Sequence, residues 1–259
     1  MRKLEFTFTT RIEFSAPVHD HYFVLRCLPR GDGGAHVVEA AVTMDPGVPV
    51  TRERDAFDNL LTVGSILEPH DHIEYRSAGL VEMERAKAKT DRPHPLFSLS
   101  SPLATPDDRL RAFAQEFADV HAEMDARACE DLSHAVHEAM AYVPGATSVR
   151  TTAQEAFAAG RGVCQDYAHV TLALLRELGV PARYVGGLAE GEGQTHAWVE
   201  ASLNDRWLGL DPTRDQLVDN GYLPLCCGRD WADCPIESGS LVGAAEQTQT
   251  SYMTVREVA

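Results

Sequence analysis

The sequence predicts an α+β protein, with a β-rich region over residues 1–100 and a region of mixed helices and strands over residues 101–259. Three observations lead to this prediction. Residues 4–85 form short β-like runs separated by turn residues, residues 107–178 carry helical spacing of apolar side chains, and residues 196–210 return to strand character around a tight turn. A chain of 259 residues with 44% hydrophobic side chains is long enough to bury a sizeable core.

The β-rich region is expected to form a sandwich. Its clearest runs are Glu5 to Phe14, which roughly alternates, Tyr22 to Leu28, which is aromatic and β-branched, and His36 to Met44, which follows the turn residues Gly31-Asp32-Gly33-Gly34. Residues 89–105 have little periodicity and contain or adjoin prolines 93, 95, 102 and 106. This segment is predicted to be a surface linker, with the domain boundary near residue 100.

Two amphipathic helices are predicted after the linker. The first has an apolar face of Leu110, Phe113, Phe117 and Val120, and the second has a face of Leu132, Val136, Ala139 and Met140. Pro144-Gly145 is expected to end the second helix. Thr152 and Glu155 then have the spacing of a capping box for a short helix that Gly160 would stop.

A third long helix is predicted from Cys164 to Leu178, with Gly179 as its stop signal. Apolar residues surround most of its circumference, which indicates a buried helix with Cys164 in its first turn. The unpaired backbone N–H groups and the positive end of the helix dipole favour a thiolate there, and the same N–H groups can hold an oxyanion. An inert core cysteine is the ordinary alternative, so position alone does not decide the role of Cys164.

A hairpin brings a histidine and an aspartate together. Strands over residues 196–202 and 206–210 flank Leu203-Asn204-Asp205. If Leu203-Asn204 is the two-residue loop, His196 and Asp211 lie directly opposite each other; if Asn204-Asp205 is the loop, Asp211 faces Trp198 and is diagonal to His196. Either register lets the carboxylate orient the imidazole, and a paired His and Asp after a helix-starting cysteine favours catalysis.

The charge balance indicates which partners are unfavourable, and the apolar runs and cysteine spacing indicate the compartment. With 23 Lys+Arg against 39 Asp+Glu, the net charge is -16 and the isoelectric point about 5.0. Such a field repels nucleic acid and anionic membranes, and it accommodates a cationic or neutral substrate more easily. No apolar run is long enough for a signal peptide or a membrane span, and the six cysteines lack a disulfide-scaffold spacing, so cytoplasmic localisation with free thiols is expected.

No cofactor or metal is predicted. The pairs His19/His21 and His70/His72 lack an evident third ligand, and Cys226, Cys227 and Cys234 lack paired CxxC spacing. The chain also has no phosphate-binding glycine loop and no EF-hand spacing.

Four blocks of sequence carry a family resemblance. They are Gly162-Val163-Cys164-Gln165-Asp166-Tyr167-Ala168, Pro181-Ala182-Arg183-Tyr184-Val185, His196-Ala197-Trp198-Val199-Glu200 and Leu210-Asp211-Pro212-Thr213. In order and spacing they resemble the core of the transglutaminase-like superfamily, most closely the bacterial proteins with a β-rich N-terminal region. The run Gly228-Arg229-Asp230-Trp231-Ala232-Asp233 extends the resemblance, which is strong over residues 100–259 and weaker before them.

The resemblance implies a papain-like α+β core in which the cysteine helix packs on an antiparallel sheet, so residues 101–259 would be the catalytic domain. It also implies that Cys164 is the nucleophile, His196 the general base and acid, and Asp211 the group that orients His196. Gln165, Asp166, His169, Trp198 and Asp230 are candidates for support or substrate contact.

The implied function is cysteine-dependent acyl transfer through a thioester, with hydrolysis of peptide or isopeptide bonds favoured because water is always in excess. Protein-glutamine transglutaminase or amine acyltransferase activity and a non-catalytic protein-binding module are the alternatives. The expected partner is a protein or peptide bearing an amide or carboxamide group; the oligomeric state and a second oxyanion donor are left unassigned.

Overall fold

The computed structural model describes residues 1–31, 34–84 and 92–258. The predicted turn at Asp32-Gly33 and the first residues of the predicted linker, 89–91, lie outside the described residues. Within the described part of the chain there are fifteen strands and four α-helices.

The strands are β1 (Arg2–Leu25), β2 (Ala35–Asp45), β3 (Val50–Arg54), β4 (Leu60–Ile66), β5 (His70–Met83), β6 (Ala141–Tyr142), β7 (Arg161–Gly162), β8 (Ala182–Ala189), β9 (Gly191–Gly193), β10 (His196–Leu203), β11 (Arg206–Asp211), β12 (Gln216–Leu217), β13 (Tyr222–Gly228), β14 (Glu237–Val242) and β15 (Gln247–Val258). The helices are α1 (Asp108–Val120), α2 (Ala126–Ala139), α3 (Ala153–Ala159) and α4 (Cys164–Glu177), with short 3-10 turns at Pro95–Ser98 and Trp231–Asp233.

The long strand β1 organises the β-rich region. Its first half lies between β5 and β15 in a layer ordered β2-β5-β1-β15-β9, and its second half lies between β4 and β14, with β3 beyond β4. The register shifts between Glu13 and Val18, where the strand passes from one layer to the other. Inward side chains of both halves, such as Phe6, Phe8 and Phe23, share one core, as the predicted sandwich requires.

The second region is built around α4. This helix packs on an antiparallel sheet ordered β12-β11-β10-β8-β13, with α1, α2 and α3 against its other sides. Every residue from Asp166 to Arg176 is buried, because the helix is surrounded on all sides. The predicted α+β fold with a buried cysteine helix on an antiparallel sheet is confirmed, as is the Thr152–Glu155 capping box of α3, which Gly160 closes at φ 61°.

The two regions are interleaved along the chain. Strands β14 and β15 pair with β1, although the predicted boundary near residue 100 leaves them in the second region. Leu188, Leu223 and Leu225 of the second sheet also pack into the sandwich core. The buried side chain of Asn59 adds a polar link, since its amide donates to the Cys227 carbonyl at 2.8 Å and accepts from the Cys227 N–H at 2.7 Å.

Two local predictions were wrong. Helix α2 ends at Ala139 rather than at Pro144-Gly145, because the Ala141 N–H donates to the Gly160 carbonyl and draws the chain into β6. The described part of the predicted linker is also not a loose surface segment: Phe97 is buried, and its carbonyl accepts a hydrogen bond from Arg176 of α4. No helix among the described residues is long and apolar enough to cross a membrane.

Candidate active site

Cys164 is the first residue of α4, where an acidic side chain fixes the start of the helix. The carboxylate of Asp166 accepts the Val163 N–H at 2.7 Å and the Thr147 hydroxyl at 2.6 Å. Gly162 makes room for this contact, since a Cβ at that position would lie 2.6 Å from Asp166. Asp166 is therefore placed as a buried cap that positions the cysteine, and burial raises the pKa of its carboxyl despite these two donors.

His196 and Asp211 meet at the ends of neighbouring strands. His196 begins β10, Asp211 ends β11, and the imidazole Nε2 lies 2.7 Å from the carboxylate Oδ2. The loop is Asn204-Asp205, with φ of 50° and 60°, so the register with Asp211 diagonal to His196 is confirmed and the directly opposed register was wrong. Two residues in the left-handed region match the tight turn that joins antiparallel strands.

Asp211 is fully buried, and both of its carboxylate oxygens accept hydrogen bonds. Its Oδ1 accepts the N–H groups of Thr213 at 3.1 Å and Arg214 at 3.2 Å, and its Oδ2 accepts the Tyr222 hydroxyl at 2.6 Å as well as the imidazole. Burial alone would raise the pKa of the carboxyl, but the hydrogen bonds from His196, Tyr222 and the backbone lower it. Asp211 is thus held as a carboxylate aimed at His196.

The charged form of His196 is strongly favoured. Burial opposes that charge, yet the hydrogen bonds and charges of Asp211 and Cys164 raise the pKa of the imidazole to about 9. Because Nε2 is taken by Asp211, Nδ1 is the ring nitrogen available to the cysteine. The imidazole side chain is 10% exposed, so the pair lies at the edge of the protein interior.

Two aromatic residues form the wall behind the His–Asp pair. Trp198 is completely buried, and its ring packs edge-on against Tyr222 at a centroid distance of 5.3 Å. Gly187 lets the indole approach β8, since a Cβ there would lie 2.6 Å from the Trp198 ring. The position of Trp198 fits support rather than substrate contact. Tyr222 was missed by sequence reasoning, and no local motif distinguishes it from other strand aromatics.

The remaining support candidates lie at different depths. Asp230 is buried and accepts the Leu103 N–H at 3.0 Å and the Ala232 N–H at 2.9 Å, so it ties the segment before α1 to the 3-10 turn. His169 is buried in α4, where its Nε2 accepts the Trp231 N–H at 3.2 Å and burial lowers its pKa to about 4. Gln165 is half-buried beside Cys164.

The other cysteines differ from Cys164 in their surroundings. All six are free thiols, and Cys164 is half-buried whereas the other five are buried. Burial raises the pKa of Cys27 to about 12 and that of Cys129 to about 11. Among the described residues, no group of three or more His, Cys, Asp or Glu side chains has a metal-binding arrangement. His21 and His70 instead pair with each other, with ring nitrogens 3.1 Å apart.

Comparison with known sequences agrees with this geometry. Residues 111–212, which include Cys164, His196 and Asp211, match the profile of the transglutaminase-like superfamily, and residues 4–82 match the bacterial transglutaminase-like N-terminal region. The chain thus carries a transglutaminase-like core, preceded by a bacterial transglutaminase-like N-terminal region. The N-terminal profile matches the β-rich region, and the core profile matches the region built around α4.

Similar proteins match the whole chain or only its core. An uncharacterized protein of Mycobacterium leprae is 27% identical over 90% of this chain and 91% of its own length, and one of Mycobacterium tuberculosis is 28% identical over 93% and 88%. A protein-glutamine gamma-glutamyltransferase of Pseudomonas aeruginosa is 34% identical over 120 residues, which are 40% of this chain and 18% of that protein. The crystal structure of a candidate cysteine protease from Cytophaga hutchinsonii has the same fold, with a TM-score of 0.81 at 19% identity over 100% of this chain and 91% of that one.

Proposed function

We propose that the chain is a cysteine-dependent acyl-transfer enzyme in which Cys164 is the nucleophile, His196 the general base and acid, and Asp211 the group that orients His196. The observation that carries this proposal is the 2.7 Å contact between His196 and the buried Asp211, together with the influence of Cys164 on the same imidazole. A thiol that begins a helix and faces an imidazole is the arrangement that nucleophilic thiol catalysis requires.

The reaction would begin when the Cys164 thiolate attacks an amide carbonyl carbon. The oxyanion of the tetrahedral intermediate is stabilised by backbone N–H groups at the start of α4. The C–N bond then breaks, and the His196 imidazolium gives its proton to the departing amine, which leaves a thioester on Cys164. In the second half, neutral His196 removes a proton from water while the oxygen attacks the thioester carbonyl carbon, and the C–S bond then breaks. A carboxylic acid is released, and Cys164 leaves as a thiolate beside the His196 imidazolium, which restores the starting pair.

Hydrolysis of peptide or isopeptide bonds is the favoured outcome, because water needs no binding site of its own. Transfer to an amine is the second candidate, and the similarity of the core to a protein-glutamine gamma-glutamyltransferase supports it. In that case an amine replaces water and the product is a new amide. The substrate is a protein or peptide with an amide or carboxamide group.

We also propose that the protein is cytoplasmic, because the reducing cytoplasm keeps the Cys164 thiol reduced. Cell fractionation tests this proposal.

The first test is the pH dependence of Cys164 alkylation by iodoacetamide, with the modified residue located by peptide mass spectrometry. We expect Cys164 to react well below pH 8.5, and we expect His196→Ala to lose that low-pH reactivity. The buried thiols serve as internal controls, since they are shielded in the folded protein. An unreactive Cys164, or one indifferent to His196, would contradict the proposal.

A second test separates the reaction classes. A library of glutamine- and lysine-containing peptides is incubated with the protein, with and without methylamine, and analysed by mass spectrometry. Cleaved or deamidated peptides indicate hydrolysis, and N-methylated glutamine indicates transfer. Both products should disappear in Cys164→Ala. A partner-binding function that persists in Cys164→Ala, with no product in either protein, would favour the binding-module alternative.

A further inference from the structure

A pocket of about 520 Å³ lies where the sandwich core meets the second region. Its walls include Ile12, Phe14 and Leu25 of the sandwich, and Val149, Thr195 and Trp231 of the second region also line it. Leu25 is buried, whereas Val149 is 47% exposed. Polar side chains such as Ser238, Ser240, Gln247 and Gln249 line the pocket as well, so its lining is mixed and both regions contribute to it.

One acidic side chain lies among the residues that line the pocket. Glu237 is the first residue of β14, paired with Leu25 of β1, and it lines the pocket together with Tyr75. Its Oε2 atom is buried and has no hydrogen-bond partner among the described residues. Burial raises the pKa of the carboxyl, and the neighbouring Tyr75 offsets part of that rise. A buried carboxylate oxygen without a donor is costly unless a ligand supplies one.

The protein does not supply a cation to this carboxylate. None of the described residues that line the pocket is a lysine or an arginine. The one basic side chain among these lining residues is His21, whose pKa is lowered by burial and by His70. Arg26 is next to Leu25 in sequence, but its guanidinium binds Asp55 at 3.2 Å and the Pro235 carbonyl at 3.1 Å.

The pocket adjoins the candidate active site through Thr195. This residue lines the pocket and directly precedes His196, so their Cα atoms are about 3.8 Å apart. Trp231, another lining residue, is bonded through its N–H to His169 of the cysteine helix. The pocket thus reaches the residue before His196, whereas His196 and Cys164 themselves do not line it.

We propose that this pocket is a specificity site for a cationic side chain of the substrate, lysine or arginine. Glu237 pairs with the positive charge, and the apolar lining residues contact the aliphatic stem. The pairing gives the unpartnered oxygen a charged donor and offsets part of the cost of burying the carboxylate. The location of the substrate rests on the proposed function, whereas binding in the pocket requires no catalysis.

Binding is tested in Cys164→Ala protein, so that no turnover interferes. The probes are Nα-acetyl-lysine methylamide and its neutral counterpart, Nα-acetyl-norleucine methylamide, titrated by calorimetry and by NMR. We expect the lysine probe to bind roughly tenfold or more tightly, because a hydrogen bond to a charged group is lost in the neutral one. We also expect its NMR shifts to include Thr195 and Trp231.

The matched variants are Glu237→Gln and Glu53→Gln, added to Cys164→Ala. Both remove one negative charge, but Glu53 is exposed and does not line the pocket. The lysine preference should vanish in Glu237→Gln and persist in Glu53→Gln. Equal affinity for the two probes, or a preference that survives in Glu237→Gln, would overturn the proposal.

Two further comparisons keep the result interpretable. If Glu237→Gln does not fold, the lysine-to-norleucine comparison and the shifts at Thr195 and Trp231 decide the matter in the Cys164→Ala protein alone. If the lysine preference is present while Cys164 alkylation is indifferent to His196, the pocket stands and the catalytic proposal fails. If alkylation depends on His196 but neither probe is preferred, the catalytic proposal stands and the cationic pocket fails.

Discussion

Raising the pH from about 6.5 to 9 should destabilise the protein through His196, and His196→Gln should remove that effect. The pKa of His196 is 6.5 as an ordinary imidazole and about 9 in the folded chain, since Asp211 and Cys164 outweigh the opposing effect of burial. In this interval the folded state keeps a proton that the unfolded state has lost. The free energy of unfolding therefore falls as the pH rises, and the contribution is complete below pH 6.5.

The magnitude follows from the same two values. At about 1.4 kcal/mol per unit of pKa, the interval corresponds to about 3 kcal/mol of stability that is lost by the time the pH passes the folded-state value. Solvent screening does not remove this contribution, because the imidazole is 10% exposed and Asp211 is completely buried. A change of this size is a large fraction of the stability of an ordinary domain.

The assay is urea denaturation followed by tryptophan fluorescence at several pH values between 6 and 9. Wild type, His196→Gln and Cys164→Ala are compared, and the difference in slope isolates the imidazole from exposed groups such as His72 and His134, which are common to all three proteins. Cys164→Ala should keep the part of the slope that Asp211 supplies. Parallel pH dependences for wild type and His196→Gln would refute the reasoning.

Three further outcomes are expected. Acidification from pH 6.5 to 4 should cost about 3 kcal/mol through His169, whose folded-state pKa is about 4, because only the unfolded chain gains that proton; urea denaturation of wild type and His169→Gln measures it. Asn59→Ala should lower the free energy of unfolding by about 2–3 kcal/mol, since two hydrogen bonds between the buried amide and the Cys227 backbone are lost. Tyr222→Phe should raise the pKa of His196 in an NMR titration, because Asp211 Oδ2 loses a donor that shares its negative charge and then interacts more strongly with the imidazolium.

The Asn59 and Tyr222 predictions each have a control variant in the same chain. Gln115→Ala removes an exposed amide from α1 and should be close to neutral where Asn59→Ala is not. Tyr252→Phe removes an exposed hydroxyl that bonds Glu192, and it should leave His196 unchanged. Equal acid sensitivity of wild type and His169→Gln, a neutral Asn59→Ala, or a Tyr222→Phe protein identical to Tyr252→Phe would contradict the corresponding prediction.

The arrangement of the candidate site could be read from the sequence because its determinants are local. Cys164 is placed by helix-start signals, and His196 and Asp211 are placed by one hairpin whose two-residue turn leaves only two registers. The choice between those registers depended on which pair of residues adopts the left-handed conformation, and Asn204-Asp205 does. Turn chemistry favours this choice, because asparagine and aspartate tolerate the left-handed conformation and leucine, which the other register would place there, does not.

The parts that could not be read from the sequence depend on contacts between distant segments. Tyr222 reaches Asp211 because β13 lies beside β8, an edge that no hairpin fixes. Helix α2 stops early because the Gly160 carbonyl captures the Ala141 N–H. The pocket around Glu237 is likewise assembled from strands far apart in the chain, so a periodicity analysis shows the strands without their neighbours.

The pairing of β1 with β15 has a consequence for the order of folding. Lys3 faces Val258 across this ladder, so β1 cannot be enclosed on that side until β15 has been synthesised. Bringing β1 and β15 together closes a loop of nearly the whole sequence, which is slow. Until then β1 has an unpaired edge that can pair with other chains and aggregate. The segment from Cys164 to Asp211, by contrast, can assemble from neighbours already present. We therefore expect α4 and the sheet on which it packs to become protected from hydrogen exchange before the sandwich does. We also expect a truncation after residue 236 to leave a chain that aggregates rather than a smaller folded protein.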